Sequence, residues 1–237
     1  MPSNLSPPPP GGLLRELGGT LELPRLLLRA PELSRAPRGD GAPLLVLPGF
    51  GASDGSTALL RGYLRWLGHR ARGWGLGVNR GDVPALVPRV IERVEGLSRR
   101  RGGPLALVGW SLGGVLAREA ARERPELVSR VVTLGSPVVG GPKYTAVADF
   151  YRRQGVDLDA IEAEVAARNA TPIQVPVLAI YSRRDNVVSW QACIDEHSPG
   201  VEHVEVAATH LGLGFSPDVW VRIAQAVAAP DPAREAG

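Results

Sequence analysis

The sequence predicts an α/β fold in which a mostly parallel central sheet carries helices on both faces. Two observations lead to this fold class. Short, fully apolar segments such as Leu105–Val108 and Val177–Tyr181 alternate along the chain with longer segments whose apolar residues recur at helical spacing. Of the 237 residues, 44% are hydrophobic and 22% are charged, which is the composition of an ordinary globular domain.

Strands and helices are expected in strict alternation over most of the chain. The expected strands are Leu44–Leu47, His69–Trp74, Leu105–Val108, Val128–Leu134, Val177–Tyr181 and Val201–Val206. The expected helices cover 56–68, 83–97, 112–124 and 216–229, with one or two short amphipathic helices between residues 13 and 35. This order indicates a single domain over residues 13–230.

Three further segments complete the predicted organisation. Residues 1–12 are rich in Pro and Gly and are expected to form a flexible arm, and residues 231–237 are expected to form a flexible tail. Residues 137–172 interrupt the alternation and are expected to form a short helical cap or lid over the sheet. Within them Leu158, Ile161 and Val165 share one helical stripe, for which Asp157 is a suitable N-cap.

Charge and apolar patterning exclude several classes of protein. Lys and Arg number 27 against 24 Asp and Glu, and the one basic run, Arg99–Arg101, suits the end of a helix, so no nucleic-acid partner is expected. No apolar run approaches the ~18 residues that span a bilayer. The first residues lack the pattern of a secretory signal, and we expect a cytoplasmic protein. Transient contact of Leu26–Leu28 with a membrane surface stays open.

The strongest local signal is the motif G-x-S-x-G, formed by Gly109, Ser111 and Gly113 between an apolar strand and a helix without proline. A serine can project above the edge of a sheet only if the chain turns very tightly. The positions that flank it must then lack side chains, which explains the two glycines. Ser111 is therefore the candidate nucleophile.

In this context the motif resembles the nucleophile elbow of the α/β-hydrolase superfamily, and within it the small lipases and esterases. The resemblance covers roughly residues 43–230. It implies a Ser-His-Asp triad in which the acid and then the histidine follow the nucleophile along the chain. Asp185, after the strand Val177–Tyr181, and His210, after the strand Val201–Val206, fit these places.

Other side chains compete for the two roles. His203 is the next histidine by position, although a residue within a strand suits the role less well. His69 precedes the nucleophile, which is the wrong order for this fold, and is expected at the surface. Asp195 and Glu196 lie ten residues beyond Asp185, and Asp149 would serve only if the acid came from the preceding strand.

The resemblance also implies two backbone donors for the oxyanion, the N–H groups of Leu112 and Phe50. Phe50 and Trp110 are expected to line the substrate site. The segment Gly49–Asp54 could alternatively begin a dinucleotide-binding motif, but Asp54 stands where that motif requires glycine and would repel a pyrophosphate.

Together these features predict a serine hydrolase that cleaves carboxylic esters, acting on a small-molecule or lipid substrate. No cofactor is expected, and no pattern of metal ligands is visible. Two alternatives stay open: an acyltransferase or thioesterase that uses the same triad, and a catalytically silent binding module with the same fold. The single cysteine, Cys193, excludes an intramolecular disulfide and is expected to be a buried structural residue.

Overall fold

The computed structural model describes residues 5–9 and 12–229. The predicted tail and part of the predicted arm, residues 1–4, 10 and 11, lie outside the described residues. The strands, in chain order, are β1 (Pro43–Leu47), β2 (Arg70–Gly73), β3 (Leu105–Trp110), β4 (Val128–Leu134), β5 (Val177–Tyr181) and β6 (Val201–Glu205). They form one parallel sheet in the order β2-β1-β3-β4-β5-β6, which confirms the predicted parallel α/β fold.

Helices connect the strands at the predicted places. They are α1 (Leu13–Glu16), α2 (Glu22–Leu28), α3 (Ala30–Ser34), α4 (Ala58–Trp66), α5 (Val83–Arg101), α6 (Leu112–Glu123), α7 (Ala148–Arg153), α8 (Leu158–Asn169), α9 (His210–Leu213) and α10 (Pro217–Ala228). Local chemistry sets several boundaries. Asp157 caps α8 through the N–H groups of Asp159 and Ala160, and α5 is terminated by Gly102, the next residue, which adopts the left-handed conformation.

Helices cover the sheet on both faces. Successive residues of a strand point to opposite sides, so the apolar strands place buried side chains on each face. Leu44 and Val46 belong to one apolar cluster, whereas Leu45 and Leu47 belong to the other. The first cluster is closed by α4 and α10, and the second by α5 and α6. Fully buried side chains such as Leu64 and Leu116 anchor these helices.

The strand order reverses at β1. The chain passes from β1 to β2 on one side, and then returns to place β3 on the other side. Connections that leave neighbouring strands in opposite directions open a crevice at the carboxyl ends of those strands, where ligands bind in open α/β sheets. The loop after β1 and the turn after β3 meet at this crevice.

Two segments lie outside the strand–helix alternation. The N-terminal segment, residues 12–34, contains α1 to α3 and packs against α9 and α10. The segment between β4 and β5 contains α7 and α8, and it is joined to the loop after β5 by an antiparallel bridge between Thr145 and Val188. None of the described helices is both long and apolar enough to cross a membrane.

Candidate active site

Ser111 lies on the turn between β3 and α6 with φ 53° and ψ −123°. Among the described residues it is the one residue other than glycine with a positive φ, a conformation that costs about 1–3 kcal/mol. A side chain at Gly109 would overlap the backbone of Gly113, and a side chain at Gly113 would overlap the carbonyl of Leu47. The tight turn therefore requires both glycines of the motif.

Asp185 and His210 are hydrogen-bonded to each other at the same edge of the sheet. The distance between Asp185 Oδ2 and His210 Nδ1 is 2.6 Å, and the side chains are 1% and 6% exposed, respectively. The other oxygen, Oδ1, accepts the N–H groups of Val187 at 2.8 Å and Val188 at 2.7 Å. Asp185 thus shapes its own loop with one oxygen and orients the histidine with the other, which leaves His210 Nε2 for a second partner.

Ser111 and His210 line one cavity of about 400 Å³. Within the described part of the chain, no hydrogen bond joins the Ser111 hydroxyl to the imidazole. Contacts between nucleophile and base are often looser in unliganded hydrolases than in substrate complexes. The structure therefore brings all three predicted side chains to one site, with the acid and the histidine already paired.

Gly135, the residue after β4, contacts the acid–histidine pair. Its φ is +54°, and a Cβ atom there would lie 2.8 Å from Asp185 Oδ2 and 3.0 Å from His210 Nδ1. A side chain would therefore push directly on the hydrogen bond that joins the two groups. The sequence marks Gly135 only as a glycine at the end of a strand.

Gly135→Ala is expected to lower the rate of ester turnover by about 10²-fold, because displacement of catalytic groups by about 1 Å has that effect. Gly155→Ala is the matched control, since Gly155 also has a positive φ, +77°, but a Cβ atom there meets nothing within 4 Å. Both variants should lose about 1–2 kcal/mol of stability from backbone strain. Equal turnover in the two variants, measured alongside urea unfolding, would contradict a specific role for Gly135.

The two predicted oxyanion donors border the same cavity. Leu112 is the first residue of α6, so its N–H has no acceptor within the helix. Among the described hydrogen bonds the N–H of Phe50 also has no acceptor. Both groups are therefore free to bind an oxyanion.

The loop that carries Phe50 is held by Asn79, which is fully buried. Asn79 Nδ2 donates to the carbonyl of Pro48 at 3.0 Å, and the Asn79 carbonyl accepts from Gly51 N–H at 2.8 Å. The Asn79 N–H donates to the Ala52 carbonyl at 2.8 Å. The sequence contains no local signal for this residue, because its partners lie about thirty positions earlier in the chain.

Residues 44–160 match the family model described as "alpha/beta hydrolase fold". The matched part runs from β1 through the serine turn and the strand that follows it. The chain belongs to the α/β-hydrolase superfamily.

Solved structures show the same fold for this α/β hydrolase. A structure from work on LipS and LipT, two metagenome-derived lipolytic enzymes, is 17% identical with a TM-score of 0.61, and the match covers 81% of this chain and 94% of that one. A monoacylglycerol lipase from Paleococcus ferrophilus is 15% identical with a TM-score of 0.58, covering 81% and 95%. A thioesterase domain from the curacin biosynthetic pathway is 15% identical with a TM-score of 0.56, covering 81% and 93%. No curated protein matches the sequence.

The cavity is mainly apolar. Its walls include Phe50, Val83, Pro84, Val115, Val147, Ile161, Val165, Val187 and Leu211. The centroids of the Phe50 and Tyr151 rings are 5.9 Å apart, and Tyr151 also lines the cavity, so α7 forms part of its wall. Trp110 borders the cavity, but its indole also packs in the core and donates to the His210 carbonyl at 3.2 Å. Trp110 therefore helps to hold the loop of His210 in place through this hydrogen bond.

Three of the competing side chains, Asp195, His203 and Asp149, have other partners. Asp195 forms a buried ion pair with Arg118, and its N–H donates to His203 Nε2. Asp149 is exposed and pairs with Arg152 on its own helix. The prediction for His69 was wrong: it is 3% exposed, because the chain at Gly39 packs directly against the imidazole ring.

Cys193 is buried, as predicted. Burial raises the pKa of its thiol well above the ordinary value, so the thiol stays neutral and is a poor nucleophile.

Proposed function

We propose that this α/β hydrolase cleaves carboxylic esters through an acyl-enzyme intermediate on Ser111. The observation that supports the proposal most strongly is the buried Asp185–His210 pair, which borders the cavity lined by Ser111. Because the carboxylate of Asp185 accepts a hydrogen bond from His210 Nδ1–H, the imidazole proton stays on Nδ1, and Nε2 can accept a proton from the serine.

The roles follow from the chemistry of acyl transfer. Ser111 Oγ attacks the ester carbonyl while His210 takes its proton, and the resulting oxyanion is bound by the N–H groups of Phe50 and Leu112. His210 then protonates the departing alcohol, and Asp185 stabilises the imidazolium cation. In the second half-reaction His210 activates water, which attacks the acyl-enzyme and releases the acid and free Ser111.

The apolar walls favour an acyl chain as the part of the substrate that enters the cavity. A volume of about 400 Å³ lies within the usual range for sites of small organic ligands. The lipolytic enzymes and the monoacylglycerol lipase among the structural relatives act on substrates of this kind, and we extend that class to this chain. The expected substrates are carboxylic esters with an apolar acyl chain.

Hydrolysis of p-nitrophenyl esters of increasing acyl length, together with labelling by a fluorophosphonate, tests the proposal. Wild type should turn over esters and carry the label on Ser111, whereas Ser111→Ala should lose both. Ser56→Ala is the matched control, because Ser56 lines the same cavity but its hydroxyl donates to the Ser53 carbonyl. Labelled but inactive wild type would favour acyl transfer or thioester cleavage, and an unlabelled wild type would favour a silent binding module.

A second proposal concerns transient contact with a lipid surface. The N-terminal segment exposes leucines that are at least 62% accessible to solvent, namely Leu14, Leu17, Leu21, Leu27 and Leu28. Exposed apolar side chains in such numbers are typical of interaction surfaces. Leu211, which is 43% exposed, also lines the cavity, so one exposed leucine lies at the site itself.

Co-sedimentation with vesicles of phosphatidylcholine and phosphatidylglycerol tests this contact. Replacing Leu27 and Leu28 together with serine should reduce the bound fraction several-fold, because apolar area buried in the interface contributes to binding. Leu59→Ser is the control, since Leu59 is 55% exposed on α4, outside the segment. A bound fraction equal to that of wild type in the double variant would refute the contact.

A further inference from the structure

Glu16 is a buried carboxylate that the proposed reaction does not use. It ends α1 in the N-terminal segment and is 2% exposed. Among the described residues no Lys or Arg lies within ion-pair distance of it. A charge placed in the interior without a counter-ion needs strong hydrogen-bond donors instead.

The donors come from the two loops that carry the acid and the histidine. Glu16 Oε1 accepts the backbone N–H of Asn186 at 2.9 Å and its side-chain amide at 3.1 Å. Glu16 Oε2 accepts the backbone N–H of Leu211 at 2.8 Å. Asn186 directly follows Asp185, and Leu211 directly follows His210, so one carboxylate joins the two loops at positions next to the pair.

Close backbone packing accompanies these hydrogen bonds. A Cβ atom at Gly19 would lie 2.6 Å from Gly212 N and 2.8 Å from Thr209 Oγ1. A Cβ atom at Gly12 would lie 2.8 Å from the Asn186 side chain. The N-terminal segment therefore contacts both loops, with Glu16 between the two contacts.

The electrostatics agree with this bridging geometry. Burial raises the pKa of Glu16, but the N–H groups of Leu211, Asn186 and His210 outweigh burial, so the pKa lies below its ordinary value. The group is therefore ionised at neutral pH, and its hydrogen bonds are of the stronger, charge-assisted kind.

We propose that Glu16 is a positioning residue of the triad, which sets the distance between the Asp185 loop and the His210 loop by binding both. The inference rests on the proposed function, since it assigns a role in aligning that triad. Its consequence is that residues 12–21, which precede the first strand, are part of the catalytic framework.

Full-length Glu16→Ala and Glu16→Gln test the proposal, with Glu32→Ala as the matched control. Glu32 lies in the same segment, and among the described residues it pairs only with Arg29. Turnover of a p-nitrophenyl ester is divided by the concentration of active sites titrated with a fluorophosphonate. A variant that merely unfolds in part loses titrated sites, whereas a misaligned triad loses kcat per site.

Glu16→Ala should lower kcat per titrated site by about 10²-fold with little change in KM. Glu16→Gln should fall between Glu16→Ala and wild type, because an amide can accept from one loop but presents N–H groups to the other. Glu32→Ala should match wild type. An unchanged kcat per site in Glu16→Ala, or an equal loss in Glu32→Ala, would overturn the proposal.

A readout without substrate separates this inference from the proposed function. The low-field proton resonance of His210 Nδ1–H should shift or broaden in both Glu16 variants and stay unchanged in Glu32→Ala. An unchanged resonance in both Glu16 variants would refute the positioning role. Failure of the proposed function would instead appear in wild type, as absence of ester turnover and of label.

Discussion

Asp185→Asn is expected to lower kcat for ester hydrolysis by about 10⁴-fold while leaving the fold intact. Asparagine keeps an oxygen that can accept the N–H groups of Val187 and Val188, so the loop should retain its shape. The amide nitrogen then faces His210 Nδ1 and donates to it. The imidazole proton moves to Nε2, which can no longer accept the proton of Ser111.

Steady-state kinetics on Asp185→Asn and Asp149→Asn measure this effect. Asp149 is the control because it is an exposed carboxylate on a helix. In the part of the chain that the structure describes, it pairs only with Arg152. Its variant should be indistinguishable from wild type. Wild-type kcat in Asp185→Asn would show that the acid lies elsewhere, and a large fall in melting temperature would show that the loop rather than the tautomer had changed.

Asp195→Ala is expected to reduce the free energy of unfolding by about 3–5 kcal/mol, the usual cost of leaving one member of a buried ion pair alone. The side chains of Arg118 and Asp195 are 3% and 2% exposed. Removal of the carboxylate therefore leaves the guanidinium of Arg118, which lies on α6, buried in the protein without its ion-pair partner. Asp195 also accepts the N–H groups of His197 and Ser198, which would lose their partner. Urea unfolding measures the loss.

Two controls distinguish the buried pair from charge in general. Asp149→Ala removes an exposed pair and should change stability by less than about 1 kcal/mol. The double variant Arg118→Met with Asp195→Leu should recover most of the lost stability, because two apolar side chains need no counter-charge. A double variant as unstable as Asp195→Ala would show that the hydrogen bonds to the 197–198 turn, and not the charges, carry the effect.

The same pair predicts how stability depends on pH. Burial raises the pKa of Asp195, but Arg118 and the His197 N–H outweigh burial and lower it from 3.8 to about 2. The folded state therefore binds its proton less readily than the unfolded state, and the contribution is fully present above about pH 4. The stability difference between wild type and Asp195→Ala should narrow as the pH falls from about 4 to about 2. A constant difference across that range would contradict the pairing.

The fold could be predicted from the sequence because its signals are local. Buried parallel strands are short apolar runs such as Val128–Leu134, and the serine turn needs glycines at fixed spacing. Both kinds of signal lie within ten residues. Asp185 and His210 could be chosen because each follows a recognisable strand, and the structure places them in hydrogen-bond contact; their catalytic roles remain predictions.

The residues that support the site could not be found in the same way. Glu16 is separated in sequence by 170 positions from Asn186 and by 195 positions from Leu211, its hydrogen-bond partners. The sequence around Glu16 is that of an ordinary amphipathic helix. Asn79 lies in a glycine-rich loop whose contacts depend on how β1 and β2 pair. The burial of His69 could not be predicted for a similar reason, since it depends on the distant backbone segment at Gly39 and not on the residues next to His69 in the sequence.

The bridge between Thr145 and Val188 links the width of the cavity to the position of the acid. Ala146 N–H donates to the Val187 carbonyl at 2.7 Å, and Ser189 N–H donates to the Tyr144 carbonyl at 3.0 Å. If the segment before α7 moved outward, these hydrogen bonds would displace the turn at Val187 and Val188, whose N–H groups bind Asp185 Oδ1. Variants that widen the cavity at Val147 should therefore alter the speed of the chemical step together with the preferred chain length, so that selectivity and rate cannot be tuned separately at this wall.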